Sequence, residues 1–134
     1  MKLIKRPVCE AQLNGIARLM LNPEDIINLE RSDLEEALTG KIGVLYVARQ
    51  EGEEMKQFME SFLDALSNTP DVIDCQFLVL SIAVSENDSL TFEDTDIIHE
   101  FLGKLKNDNV ETRWGIHNSP TDYGMMIALC TNDL

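Results

Sequence analysis

One amide and two carboxylates gather in the stretch Asn28-Leu29-Glu30-Arg31-Ser32-Asp33. These three polar groups fall in a loop that opens directly into a helix, and Ile26, Ile27, Leu29 and Leu34 can anchor that loop to the core. A plainer account competes with a functional one. Glu30 and Asp33 also suit the first turn of a helix, where carboxylates complement the helix dipole, with Ser32 as the cap. Residue chemistry alone favours the plainer account. Elsewhere the chain offers less. The seven glycines are scattered, and Gly40-Lys41-Ile42-Gly43 lacks the upstream glycine of a phosphate-binding loop, so no nucleotide site and no cofactor are expected. His99 and His117 have no Cys or second His at ligand spacing, so no metal site is expected. Glu93, Asp94, Asp96 and Glu100 read as a solvated acidic helix start. Ser81, Ser85 and Cys75 lie in or beside an apolar run without the sharp Gly-x-Ser-x-Gly turn that exposes a nucleophile. Met55, Met59, Met125 and Met126 read as core filling.

The elements that would position these residues follow from periodicity. Pro7 suits the first turn of a helix, and Leu13, Ile16, Ala17 and Met20 then share one helical face until Pro23 stops the run, giving a helix from about residue 8 to 21. Ser32 and Glu35 have capping-box spacing, which predicts a second short helix ending near Gly40. Ile42 to Ala48 reads as a buried strand and Met55 to Leu66 as the clearest amphipathic helix. Phe77 to Val84 is a short apolar run that predicts a central strand. Thr91 and Asp94 have capping-box spacing ahead of a helix carrying Ile97, Ile98, Phe101, Leu102 and Leu105. Val110 to His117 alternates as a strand with one wet face, and Tyr123 to Thr131 is a last apolar strand. The expected fold class is α+β: a two-layer β-α-β-α-β-β domain with a four-stranded mixed sheet, preceded by two helices. Residues 1–134 form one domain, with the leading helix, loop and short helix over about 8–40 and the α/β core over about 41–134.

Composition narrows the partners. The 134 residues carry 24 Asp+Glu against 11 Lys+Arg, a formal net charge of -13, and 44% of them are hydrophobic, as in an ordinary packed domain. Such a charge repels phosphate backbones and anionic lipids, so neither nucleic acid nor membrane is an expected partner. No apolar run approaches the roughly 20 residues of a bilayer span, and the start Met-Lys-Leu-Ile-Lys-Arg-Pro lacks a secretion signal, so a cytoplasmic protein is expected. Cys9, Cys75 and Cys130 suit reduced thiols better than a disulfide framework.

Read in order, the segments resemble the bacterial tubulin-like cell-division GTPase FtsZ, specifically its C-terminal domain and the tail of the central helix before it. The family's loop of the form Ile-Asn-x-Asp-Phe-Ala-Asp-Val is similar to Ile27-Asn28-Leu29-Glu30-Arg31-Ser32-Asp33-Leu34, and Gly15 to Met20 is similar to the end of the central helix. Ala48 to Glu53, Gln76 to Ala83, Leu90-Thr91-Phe92-Glu93, Trp114-Gly115-Ile116 and Met125 to Thr131 each resemble the next family segment in turn. The likeness spans about residues 10 to 132, and collinearity carries it. The resemblance implies that Asn28, Glu30 and Asp33 match the synergy loop, which in the family completes the GTP site of the neighbouring subunit in trans. Two departures stand out. Glu30 lengthens the first carboxylate by a methylene and Arg31 replaces an aromatic; a displacement of about an ångström at such a group costs on the order of a hundredfold in rate. The glycine-rich GTP-binding domain is also absent, so the chain should begin inside the central helix and leave Leu13, Ile16, Leu19 and Met20 uncovered as an interface.

Three functions follow as expectations. The first is a stand-alone interaction module, not an enzyme, that binds an FtsZ-like GTPase or a separately encoded GTPase domain, or assembles with itself as a homo-oligomer. The second is a vestigial packing or oligomerisation domain. The third is a small enzyme of the trimeric chorismate-mutase type with its site between subunits, against which the scattered Lys and Arg argue.

Overall fold

A computed structural model describes residues 1–21, 29–105 and 110–134, together with the backbone of 25–27. Six strands form one sheet: β1 (Ile4–Cys9), β2 (Asp25–Ile27), β3 (Lys41–Arg49), β4 (Phe77–Val84), β5 (Glu111–Asn118) and β6 (Met125–Asp133). Their order is β1-β3-β6-β4-β5-β2. The β4–β5 pair is parallel, and every other neighbouring pair is antiparallel. The helices are α1 (Leu13–Met20), α2 (Arg31–Leu38), α3 (Met55–Ser67), the single turn α4 (Pro70–Ile73), and α5 (Thr95–Gly103), which makes the crossover between the parallel strands.

The α+β class and the four central strands agree with the sequence reading. Two features differ from it. The sheet has six strands rather than four, because β1 and β2 add one strand at each edge. Helices also cover both faces, so there are three layers and not two. Strand alternation feeds the two cores. On β4, Leu78, Leu80, Ile82 and Val84 join α3 and α5 in one cluster, while Phe77 and Val79 join α1 and α2 in the other. On β6, Met126, Ala128 and Cys130 face the first cluster, and Ile127 and Leu129 face the second. All eight residues of β4 are therefore buried, which is why that strand reads as an unbroken apolar run.

Pro7 does not open a helix. It lies in β1, opposite Val44 of β3, at the sheet edge where a residue without an N–H is tolerated. The strand is tied down through Lys5, whose Nζ donates to Asp71 Oδ2 at 2.9 Å; Tyr46 Oη donates to the same oxygen at 3.2 Å. The Lys5 bond lowers the Asp71 pKa, and burial first, then Asp71, raises that of Tyr46. Gly40 ends α2 with φ 70°, the left-handed conformation that follows many helices. Cys75 and Cys130 are buried free thiols, and Cys9 is a half-buried one. The neighbouring Cys75, then burial, pushes the Cys130 thiol well above its ordinary value.

At the other end of the sheet Asp88 organises the loops. Its Oδ2 accepts from Gln50 Nε2 at 3.0 Å and from the Met55 N–H, the first of α3, at 3.0 Å, and its Oδ1 accepts from the Ser89 N–H at 2.9 Å. These bonds, the Gln50 one foremost, hold its carboxyl below the ordinary value of 3.8. A depressed folded-state pKa means that the unfolded chain binds more protons, so this stabilisation is complete above the unfolded value and is lost as pH falls through the folded one. Urea midpoints followed from about pH 6 down to about pH 2 should show wild type more stable than Asp88→Asn at the upper end, with the gap closing below the unfolded value of 3.8. A gap that persists unchanged in acid would show that the charge contributes nothing.

Candidate functional site

Glu30 and Asp33 meet at the start of α2. The helix begins at Arg31, one residue before the predicted cap Ser32, and Glu30 is its N-cap. The reciprocal pair is therefore Glu30 with Asp33, not Ser32 with Glu35. The Glu30 N–H donates to Asp33 Oδ2 at 2.8 Å, and the Asp33 N–H donates to the Glu30 carbonyl at 3.0 Å. Glu35 instead accepts from Arg31 Nε at 3.2 Å, while Arg31 Nη2 donates to Asn14 Oδ1 at 2.5 Å and ties α2 to α1. Asn28, the amide of the predicted trio, lies outside the described residues.

Arg113 completes this cluster. Its guanidinium lies 3.5 Å from Asp33 Oδ1, 3.2 Å from Glu36 Oε2 and 3.5 Å from Glu111 Oε2, and it sits 5.4 Å from the centre of the Phe77 ring. Asp33 and Glu36 are one helical turn apart on α2, so both can reach one cation on β5. Both oxygens of Asp33 thus have partners, one in the helix cap and one in the ion pair, which is the plainer account given to it above. Glu30 remains exposed. Sequence reasoning did not single out Arg113. Its place on the wet face of an alternating strand was legible, but nothing local indicated that two acids of α2 would close over it.

The expected bare face of α1 is corrected. Ile16 is 4% exposed and Met20 is fully buried, in one cluster with Val8, Leu45, Val79 and Leu129, and Leu13 packs against that cluster half-buried. Of the four, only Leu19 points outward, at 42% exposed. The sheet's second face covers α1 within the same chain, so the apolar area proposed for an interface is already used. Ser81 Oγ also donates to the Met20 carbonyl at 3.2 Å and fixes the end of the helix.

Among the described residues, no group of three or more His, Cys, Asp or Glu side chains could hold a metal ion, and no helix is long and apolar enough to cross a membrane. His99 packs edge-on against Trp114, with ring centres 5.6 Å apart.

The chain is thus an α+β protein with a six-stranded mixed sheet and helices on both faces. Neither a family model nor a curated protein matches the sequence. Solved structures do. A tryptophan-to-tyrosine mutant of FtsZ from M. jannaschii superposes with a TM-score of 0.61 at 13% identity, covering 92% of this chain and 39% of the FtsZ chain. An empty FtsZ dimer from M. jannaschii gives 0.59 at 18% identity, with 92% and 37% covered. The chain therefore spans about two-fifths of the length of these structures, consistent with a fold like the FtsZ C-terminal domain.

Proposed function

We propose that the protein is an FtsZ C-terminal-domain-like interaction module that binds a tubulin-like GTPase and modulates its assembly, with no nucleotide site of its own. The observation that carries this reading is the fold match, which covers 92% of the chain. The site chemistry favours binding over catalysis by this chain. Asp33 is committed to the α2 cap and to Arg113, which leaves Glu30 as the exposed carboxylate of the pair. The chorismate-mutase-type alternative needs cations gathered for an anionic substrate, and the few Lys and Arg of this chain are scattered along its sequence.

The test mixes the purified protein with full-length FtsZ from the same cell and measures binding, sedimentable polymer and GTP turnover, for wild type and for Glu30→Ala/Asp33→Ala. Wild type should co-sediment with the polymer and alter its amount. If the loop acts in trans, the double variant should lose its effect on turnover. Binding that ignores the double substitution would keep the module and end the role of the loop. Absence of binding would favour a packing domain with a vestigial loop.

A further inference from the structure

We propose that the groove beside Phe92 is a docking site for a cationic segment of a partner protein that carries an aromatic or aliphatic side chain. The groove has a volume of about 760 Å³ between the β4–α5 connection and the final residues of β4 and β5, with Val84, Leu90 and Ile116 supplying apolar wall and Glu86 and Asp88 its charged lining. Phe92 also lines it and is 91% exposed, the most exposed large apolar side chain among the described residues.

That exposure is built and held. The Thr91 N–H donates to Asp94 Oδ2 at 2.8 Å, the Asp94 N–H donates to Thr91 Oγ1 at 3.3 Å, and Thr95 Oγ1 donates to the Phe92 carbonyl at 2.6 Å. The predicted capping box thus closes one turn ahead of α5 and fixes the backbone on both sides of the ring. An aromatic on a fixed turn costs little conformational entropy to bury against a partner, and such anchors dominate interfaces.

Charge selects the partner. Glu86 and Asp88 are the charged residues that line the groove, and no Lys or Arg lines it among the described residues. A negative apolar groove attracts a positive apolar segment and repels nucleic acid, anionic lipid and, at a net charge of -13, most of this chain's own surface. The groove lies apart from Glu30 and Asp33 in residue content, so this inference goes beyond the proposed function.

The experiment titrates the full chain, labelled with nitrogen-15, with the synthetic peptide acetyl-Lys-Leu-Phe-Arg-Lys-amide, and with a counterpart in which glutamate replaces each cation. Amide shifts should concentrate in residues 84–95 and 116–119. Binding should weaken about tenfold or more in Phe92→Ser, a substitution at an exposed site that leaves the core intact, and should weaken with added salt and in Glu86→Gln. Glu30→Ala/Asp33→Ala should bind the peptide as wild type does, so the loss of one reading leaves the other standing. Equal binding of the acidic peptide, indifference to Phe92→Ser, shifts centred elsewhere, or no shifts at millimolar peptide would each overturn the proposal.

Discussion

Gly43→Ala should destabilise the protein by about 3 kcal/mol, the scale of a severe overpacking substitution. A Cβ built on Gly43 would lie 1.9 Å from the Cys130 carbonyl oxygen and 2.8 Å from both the Cys130 carbonyl carbon and the Thr131 Cα. All three are backbone atoms of β6, which is held between β3 and β4, so no side chain can swing aside. Relief requires β3 and β6 to part at a point within their nine paired positions. Gly15 in α1 makes the opposite case: nothing lies within 4 Å of its added Cβ, and Gly15→Ala should stabilise by about 0.5–1 kcal/mol through helix propensity. Urea denaturation of both variants checks the pair. A Gly43→Ala cost under about 1 kcal/mol would mean that the two strands are not packed this closely.

The second large effect lies under α1. Met20→Ala should cost about 3 kcal/mol, within the range for emptying a fully buried site, because Met20 is 0% exposed. Leu19→Ala, one residue earlier and 42% exposed, should change stability by less than about 0.5 kcal/mol. The contrast decides where α1 belongs. Were the helix face an interface to a second molecule, Met20→Ala would reduce association and leave the denaturation midpoint of the isolated chain nearly unchanged.

Much of the fold was legible because its central elements advertise themselves by period. Phe77 to Val84 and the α3 run from Met55 carry their burial in their own residues, and the collinear order of segments pointed to FtsZ before any packing was known. The candidate site was legible only in part. Glu30 and Asp33 were legible as carboxylates at a helix start, but the cap lies two residues earlier than Ser32, because the Glu30–Asp33 pair closes the first turn in place of Ser32–Glu35.

What the sequence by itself determined was therefore local: which segments are apolar, with what period, in what order, and with how much negative charge. Only the tertiary structure decided three things. Ile4–Cys9 became a strand because the outer edge of β3 was open to pair with it, although its own residues show no alternation and include Pro7. The apolar face of α1 became core instead of interface because the second face of the sheet needed covering. Arg113 closed over Asp33 and Glu36, the latter 77 residues away in sequence, because α2 packs on β4 and β5 is the next strand in the sheet. Each outcome depends on which surface a segment meets, and that information resides in the partner segment rather than in the segment itself.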